Sequence, residues 1–491
     1  MNAQPQFNKK MLVLSAGAVL LALLCCFIFN GTLLIDEFEH LRASYLITLG
    51  FHPYADFFEH HHPLLWWLWT PILKFLPQHQ VFLFYLSRLL TTMVSGISAY
   101  YIYKIAERFC GGAKVAVLTL VIYFSFYFSQ YMAVIFKPDA FMWSCYLCGL
   151  YYFLCYCETY RCRDLIVSAV AFTFAFMFLQ TALFLTAPLV FPAVYLICRK
   201  PALIKDFLIS ALPTIPLLAI FTLYIAYTSG FENYINRAWI LNSALFNLIQ
   251  IPFENFLPKF LIFIIFGYIA YGWQLKKHRA TLYTHIFAIL LTADLIKNIL
   301  YPVPYPRYFM PSALGIAFLA APAIYQASSF IRNYFVATVV VLNTLNIYVS
   351  VIVYPNTEVL RQVNNLPRPS SSWSVHSEIL DIYSTYQHFH WYSYILSAVD
   401  TYLFSPEPDS INQQLIKTKP TYIFYNPEAH TTTSPRPHPN ADKKFEEFYD
   451  KATINTDLLN RLYECIDASQ NKIYRLKQRY DLRLTVGKSK S

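Results

Sequence analysis

Residues 57–67 read FFEHHHPLLWW, one acid and three imidazoles set among aromatic and aliphatic side chains and closed by a proline and an apolar run. Glu59 and His62 stand three apart, and with His60 and His61 they offer carboxylate and imidazole donors. Such donors are the usual ligands of zinc and can also meet a phosphate. Two chemistries therefore fit: a divalent cation held by Glu59 and His62, or a phosphorylated substrate touched by the cluster. A third reading is structural, with His61 and His62 hydrogen-bonding as amphipathic side chains in a membrane interface. Upstream, Asp36 and Glu37 follow directly on a long apolar run, and Asp36, Glu39 and His40 share one face if 36–49 is helical. Leu41, Tyr45 and Leu49 would let that helix lie along a membrane plane, holding acids over a hydrophobic floor. Glu37 and Glu39 also fit ordinary solvated positions on such a helix.

The elements that must carry these residues belong to a membrane protein. Of 491 residues, 56% are hydrophobic and 18% aromatic, and only 13% are charged, about half the usual charged share of a soluble domain. A membrane span needs about 20 apolar residues. On that criterion roughly eleven spans fit, at 11–33, 80–103, 113–131, 138–157, 165–180, 182–198, 206–228, 257–274, 281–300, 309–326 and 335–353. The pair at 165–198 reads as one span or two. Lys9 and Lys10, Lys104 with Arg108 and Lys114, Arg161 with Arg163, Arg199 with Lys200 and Lys205, Lys276 with Lys277 and Arg279, and Arg332 fall on alternate loops. The excess of cations assigns those loops to the cytoplasm, with the N-terminus cytoplasmic and both the 34–79 loop and the 354–491 tail outside. The first apolar run is longer than a signal peptide's and shows no small-residue cleavage site, so it reads as a retained span. Cytoplasmic anchoring accounts for the net charge of +10 without nucleic acid.

All cysteines but Cys465 lie in or beside spans, so the tail holds itself together by packing rather than by an internal disulfide. Cys145 and Cys148 have the spacing of a metal pair but sit inside an apolar helix, where cysteine acts as a small hydrophobe. The tail starts with the connector NNLPRPSSSW. Helical stretches follow around 375–400 and 441–468, with strands at PTYIFYN and KIYRLKQR. The chain thus divides once: residues 1–353 as a membrane domain with the outer loop 34–79, and 354–491 as a small extracytoplasmic α/β domain.

The 34–79 loop resembles the GT-C superfamily of membrane glycosyltransferases, the group of protein O-mannosyltransferases, the lipid A aminoarabinose transferase and the lipopolysaccharide-core galacturonosyltransferases. The pattern runs from Asp36 and Glu37 through Gly50, Pro53 and Tyr54 to Phe57, Phe58, Glu59, Pro63, Leu64 and Trp66. FKPDAF, with Lys137, Pro138 and Asp139 opening the fourth span, is a second match. YPRYFMP, with Arg307, Tyr308 and Pro311, is a third. The chain departs from the pattern at His61, His62, Pro63 and Leu64, where many relatives have Lys-Pro-Pro-Leu.

The resemblance implies a polytopic all-α membrane enzyme of about 11 GT-C-like transmembrane helices in a bacterial inner membrane, with its C-terminal domain in the periplasm. It implies a sugar donor linked to polyprenyl phosphate and an acceptor that is lipid A, core oligosaccharide, another glycan or a protein. Sugar transfer is displacement at an anomeric carbon, which calls for a base for the acceptor proton and cations for the departing phosphate. By resemblance Asp36 is the general base and Asp139 a second acid orienting the acceptor or a metal. Arg307 and Lys137 would pair with phosphate, and Glu37, Tyr54, Glu59, His61, His62 and Tyr308 would contact substrate. A divalent cation fits at Glu59 and His62. The aromatic 231–256 loop, with Arg237, Trp239 and Asn242, reads as a lid over the donor or as a passive interfacial helix. The alternative is a secondary transporter or lipid flippase, which would place its ionisable groups in mid-membrane. Asp294 and Lys297 are the main such candidates, and they lie near the outer end of a span.

Overall fold

The computed structural model describes residues 34–76, 78–250, 256–300 and 306–327, and shorter stretches beyond them as far as residue 477. The expected spans at 11–33 and 335–353 fall outside the described residues, apart from Thr338 and Val341. Among the described residues, six helices are long and apolar enough to cross a membrane. They are Gln80–Gly111, Pro138–Thr159, Ala182–Arg199, Pro201–Ser229, Leu282–Leu300 and Arg307–Gln326. Ala113–Ser125 and Phe260–Lys276 are shorter apolar helices. The stretch at 165–198 divides into two elements, because the first helix ends at Phe178 and a new one begins at Ala182.

Helix α1 (Ile35–Thr48) precedes α2 (Leu64–Phe75). Asp36 and Glu37 in its first turn complement the positive end of the helix. It stops where Gly50 takes φ +91°, a left-handed conformation that glycine adopts without the penalty a Cβ brings. The long helix α3 (Gln80–Ala106) and α4 (Ala113–Tyr123) follow. Next comes α5 (Pro138–Thr159), with proline in its first turn, where no N–H is missed. After α6 (Cys162–Phe178) the principal helices are α7 (Val190–Arg199), α8 (Thr214–Ser229), α9 (Phe256–Lys276), α10 (Leu282–Leu300) and α11 (Met310–Gln326).

Helices α5 and α11 are covered on most sides. Leu208, Leu212, Ile220, Leu223, Tyr227, Ile262 and Ile269 face outward from Pro201–Ser229 and α9. A contiguous apolar exterior of that kind suits lipid rather than water. Small residues set the helix crossings. A Cβ at Gly149 would meet the Phe172 ring at 2.6 Å, and the Ser168 hydroxyl donates to the Gly149 carbonyl at 2.8 Å, so α5 and α6 touch backbone to side chain.

Beyond the helices lies a four-stranded sheet of β1 (Ser372–Val375), β2 (Tyr422–Tyr425), β3 (Tyr463–Asp467) and β4 (Lys472–Leu476), in the order β1-β2-β4-β3. β1 and β2 are parallel, with Trp373 opposite Ile423; β4 pairs antiparallel with β2 and β3. The two expected strands are present. Of the helix expected over 441–468, the described residues 443–444 and Thr456–Leu462 are helical, and Tyr463–Asp467 is strand. Tyr463 and Cys465 pair with Leu476 and Tyr474 on β4, a tertiary pairing that overrides local helical pattern.

One expectation needs correction. Helix α1 does not carry a solvated polar face along a membrane plane: Glu37, Glu39, His40 and Arg42 are all buried in protein. What covers it includes the tail. The Arg42 guanidinium donates to the carbonyls of Asp381 at 2.8 Å and Ser384 at 3.1 Å and stacks on Trp391. The Trp391 indole in turn donates to the Phe58 carbonyl at 3.2 Å.

Candidate active site

Asp36 opens α1 and Lys137 caps the start of α5, and their side chains form a salt bridge. Arg307, just ahead of α11, brings its guanidinium to 3.4 Å from the same Asp36 oxygen. An acid from one element and cations from two others, far apart in sequence, thus meet at the ends of α1, α5 and α11. Lys137 is buried, while Asp36 and Arg307 stay partly accessible. Burial alone would raise the Asp36 carboxyl, but the charges of Lys137 and Arg307 and the bond from Lys137 outweigh it, holding the acid well below the usual carboxylate range. Asp139, in the first turn of α5, is half-buried and lies near enough for its charge to act on the His61 imidazole.

Tyr308 stacks its ring under the Arg307 guanidinium, 5.4 Å from the centroid. Its carbonyl accepts from Lys297 at 3.0 Å, and Lys297 also bonds Asp294 at 2.5 Å. Asp294 further accepts from the Ser312 amide at 3.0 Å, so this ionisable pair clamps α10 to the start of α11. Asp294 and Lys297, the groups a transporter reading would use, thus bond each other, Ser312 and the Tyr308 carbonyl, and they hold the backbone beside Arg307.

The 51–63 loop packs against this centre. Its backbone is fixed by Tyr54, which sits at φ +67° and whose amide donates to the Phe57 carbonyl at 2.9 Å. The Tyr54 hydroxyl donates to the His61 carbonyl. The His60 carbonyl accepts from Gln180 at 3.3 Å and Asn242 at 2.9 Å. Held this way, Glu59, His60 and His61 point toward Glu39 of α1: His61 Nδ1 lies 3.2 Å from Glu39 Oε1, and His60 Nδ1 lies 3.8 Å from it. Burial drives the His60 and His61 imidazoles down to about 3, so both are neutral at ordinary pH. Burial pushes the Glu59 carboxyl well up, and the neighbouring Glu39 pushes it further.

Three of the expected contact residues, Glu37, Tyr54 and His62, are buried and bonded to protein groups. Glu37 is fully buried and grips Arg88 with both oxygens, at 2.8 and 2.6 Å, while also accepting from the Phe136 amide at 3.3 Å. Tyr54 is buried beneath the loop. His62 is buried with both ring nitrogens engaged, Nδ1 2.6 Å from the Phe176 carbonyl and Nε2 2.8 Å from the Tyr234 hydroxyl, so it is not placed to ligate a metal beside Glu59. Sequence reasoning passed over Arg88, although a lone arginine within an apolar span is a signal, since such a charge must find a partner. It also left open Glu39, which turns out to face the histidines. Of the 231–256 loop, residues 231–250 and 256 are described, and 231–248 are helical with a wide π turn over Asn236–Leu241. Trp239 packs near His62, and Arg237 reaches Asp400 of the tail at 3.0 Å.

Residues 60–227 match the family model described as dolichyl-phosphate-mannose-protein mannosyltransferase. No curated protein sequence matches the chain. In fold the chain is similar to ArnT from Cupriavidus metallidurans bound to undecaprenyl phosphate, with a TM-score of 0.59 at 12% identity. It is likewise similar to the same protein in the apo state, with a TM-score of 0.60 at 13% identity; each comparison covers 95% of this chain and 98% of the other. The family match begins at His60, so Asp36 and Arg307 lie beyond it.

Proposed function

We propose that this chain is a membrane glycosyltransferase of GT-C type, a reading supported by the family match over residues 60–227 and by the helical fold, and that it moves a sugar from a polyprenyl-phosphate carrier to an acceptor hydroxyl on the extracytoplasmic side, with Asp36 as general base. The observation that carries this reading is the meeting of Asp36, Lys137 and Arg307 at one end of the bundle. The N-termini of α5 and α11 converge there, and helix N-termini favour anions. A phosphate bound between Lys137 and Arg307 would place the anomeric carbon beside the Asp36 carboxylate.

In the free protein Asp36 is a weak base, because both cations hold its charge. A donor phosphate competes for the same cations and so returns basicity to Asp36 as the donor seats. The acceptor oxygen then attacks the anomeric carbon and its proton passes to Asp36. The bond from that carbon to the phosphate oxygen breaks, and the phosphate leaves with the electron pair, its charge met by Lys137 and Arg307. In this reading Asp139, in the first turn of α5, orients the acceptor.

In this reading residues 1–353 catalyse and 354–491 form a periplasmic domain resting on the catalytic loop, in a bacterial inner membrane with the N-terminus in the cytoplasm. The acceptor is a lipid, glycan or protein. The test is Asp36→Asn, purified in detergent and assayed with polyprenyl-phosphate sugars. Transfer falls by at least about 10²-fold, in line with loss of a positioned base, while yield and melting temperature hold. Retained turnover would remove Asp36 from the base role.

A further inference from the structure

We propose that Glu39, Glu59, His60 and His61 together bind one divalent transition-metal ion, with zinc the best match to their donor set. One ligand atom from each lies within 4.8 Å of all the others. The separations from His61 Nδ1 are 3.2 Å to Glu39 and 3.7 Å to Glu59, and His60 Nδ1 is 3.8 Å from Glu39. Ligands about 2.0–2.1 Å from a tetrahedral zinc stand roughly 3.3–3.4 Å apart, so these three separations lie within about 0.5 Å of its edges, and the others, all inside 4.8 Å, would close as an ion is bound.

The chemistry of the donors agrees with the geometry. Glu59 Oε1 and His61 Nδ1 are buried and make no hydrogen bond among the described residues. Buried polar atoms are nearly always satisfied, so these two ask for a partner of another kind. The imidazoles of His60 and His61 bring nitrogen lone pairs to the same point as the two carboxylates, a donor set that a divalent cation can hold together. Two nitrogen and two oxygen donors suit zinc better than magnesium or calcium, which take oxygen ligands.

The surrounding bonds hold the ligands before any ion arrives. Gln180 and Asn242 secure the His60 carbonyl, and the Tyr54 hydroxyl secures the His61 carbonyl. Such supporting contacts are what metal sites depend on for affinity. Because Glu39 lies three residues after Asp36 on α1, an ion here would tie the 57–62 loop to the helix that carries the candidate base. The inference does not depend on the sugar-transfer reading, and its test uses no donor.

The full chain, purified in detergent without chelator, should carry one zinc per molecule by elemental analysis. After stripping with chelator it should take up Zn²⁺ at one equivalent by calorimetry, with a rise in melting temperature. Loading with Co²⁺ should give the visible bands of a four-coordinate N/O site. Glu59→Gln and His61→Ala should each weaken Zn²⁺ binding by at least about tenfold. If the stripped native chain binds no Zn²⁺, the acids share a proton instead and the proposal fails. It fails equally if binding persists unchanged in both variants. The native-chain titration decides the matter even where a variant does not fold.

Discussion

Asp36 is held by Lys137 on one side and approached by Arg307 on the other, which makes its chemistry depend on what else those cations bind. Because its carboxyl is held below the ordinary range, the acid limb of kcat/KM, which reports the free enzyme, should lie below the usual carboxylate range. If Asp36 is the base and the donor phosphate binds Lys137 and Arg307, as proposed, the limb of kcat, which reports the donor-bound state, should move upward as the phosphate draws the cations away. Parallel pH profiles of the two constants, showing no such displacement, would break the link between donor phosphate and Asp36. In the proposed reading Arg307→Ala removes a charge-assisted contact to the donor phosphate worth about 1.5–3 kcal/mol. The apparent donor affinity should therefore weaken by about 10- to 100-fold with the fold intact, as read by donor titration at fixed acceptor.

Helix α1 reads from its sequence as a membrane-surface helix and is instead a buried strut. Its acids have two fates. Asp36 reaches the cation centre, while Glu37 turns to Arg88 on α3 and closes a bidentate pair shut away from solvent. Removing one partner of such a pair leaves an uncompensated buried charge, at a cost of about 3–5 kcal/mol. Arg88→Ala should therefore lower the melting temperature sharply, whereas Glu37→Gln with Arg88→Met should recover part of the loss by removing both charges. If Arg88→Ala melts like the native protein, the pair does not brace α1 against α3. The helix and its approximate limits were legible in the alternation of polar and apolar residues at 36–49. Its burial was not, because that depends on α3 and on the tail, which arrive from elsewhere in the chain.

Across the whole molecule, the tail is fastened to the loop that carries Glu59 and the histidines. Arg42 bonds the carbonyls of Asp381 and Ser384, Trp391 bonds the Phe58 carbonyl, and Arg237 pairs with Asp400, which His390 also meets at 2.8 Å. The Gln80 side chain adds a bond from the Ile382 amide at 3.1 Å. Arg42→Ala should loosen this docking without disturbing the bundle. The expected outcome is faster limited proteolysis within 381–404 at unchanged helical content by circular dichroism. Equal cleavage rates in native and variant protein would mean that the tail holds its place without Arg42.

The sequence by itself determined the membrane character, most of the long helices, two of the sheet's strands and the set of ionisable residues, since these follow from apolar run length, local periodicity and residue type. Only the tertiary structure decided which of those residues meet. Lys137 and Arg307 reach Asp36 from positions 101 and 271 residues away. Glu39 joins Glu59, His60 and His61, while His62, adjacent in sequence, turns away to Phe176 and Tyr234. The reason is that charge partners in a low-dielectric interior are selected by the packing of distant helices, and a one-dimensional pattern records which groups need partners without recording which ones they find.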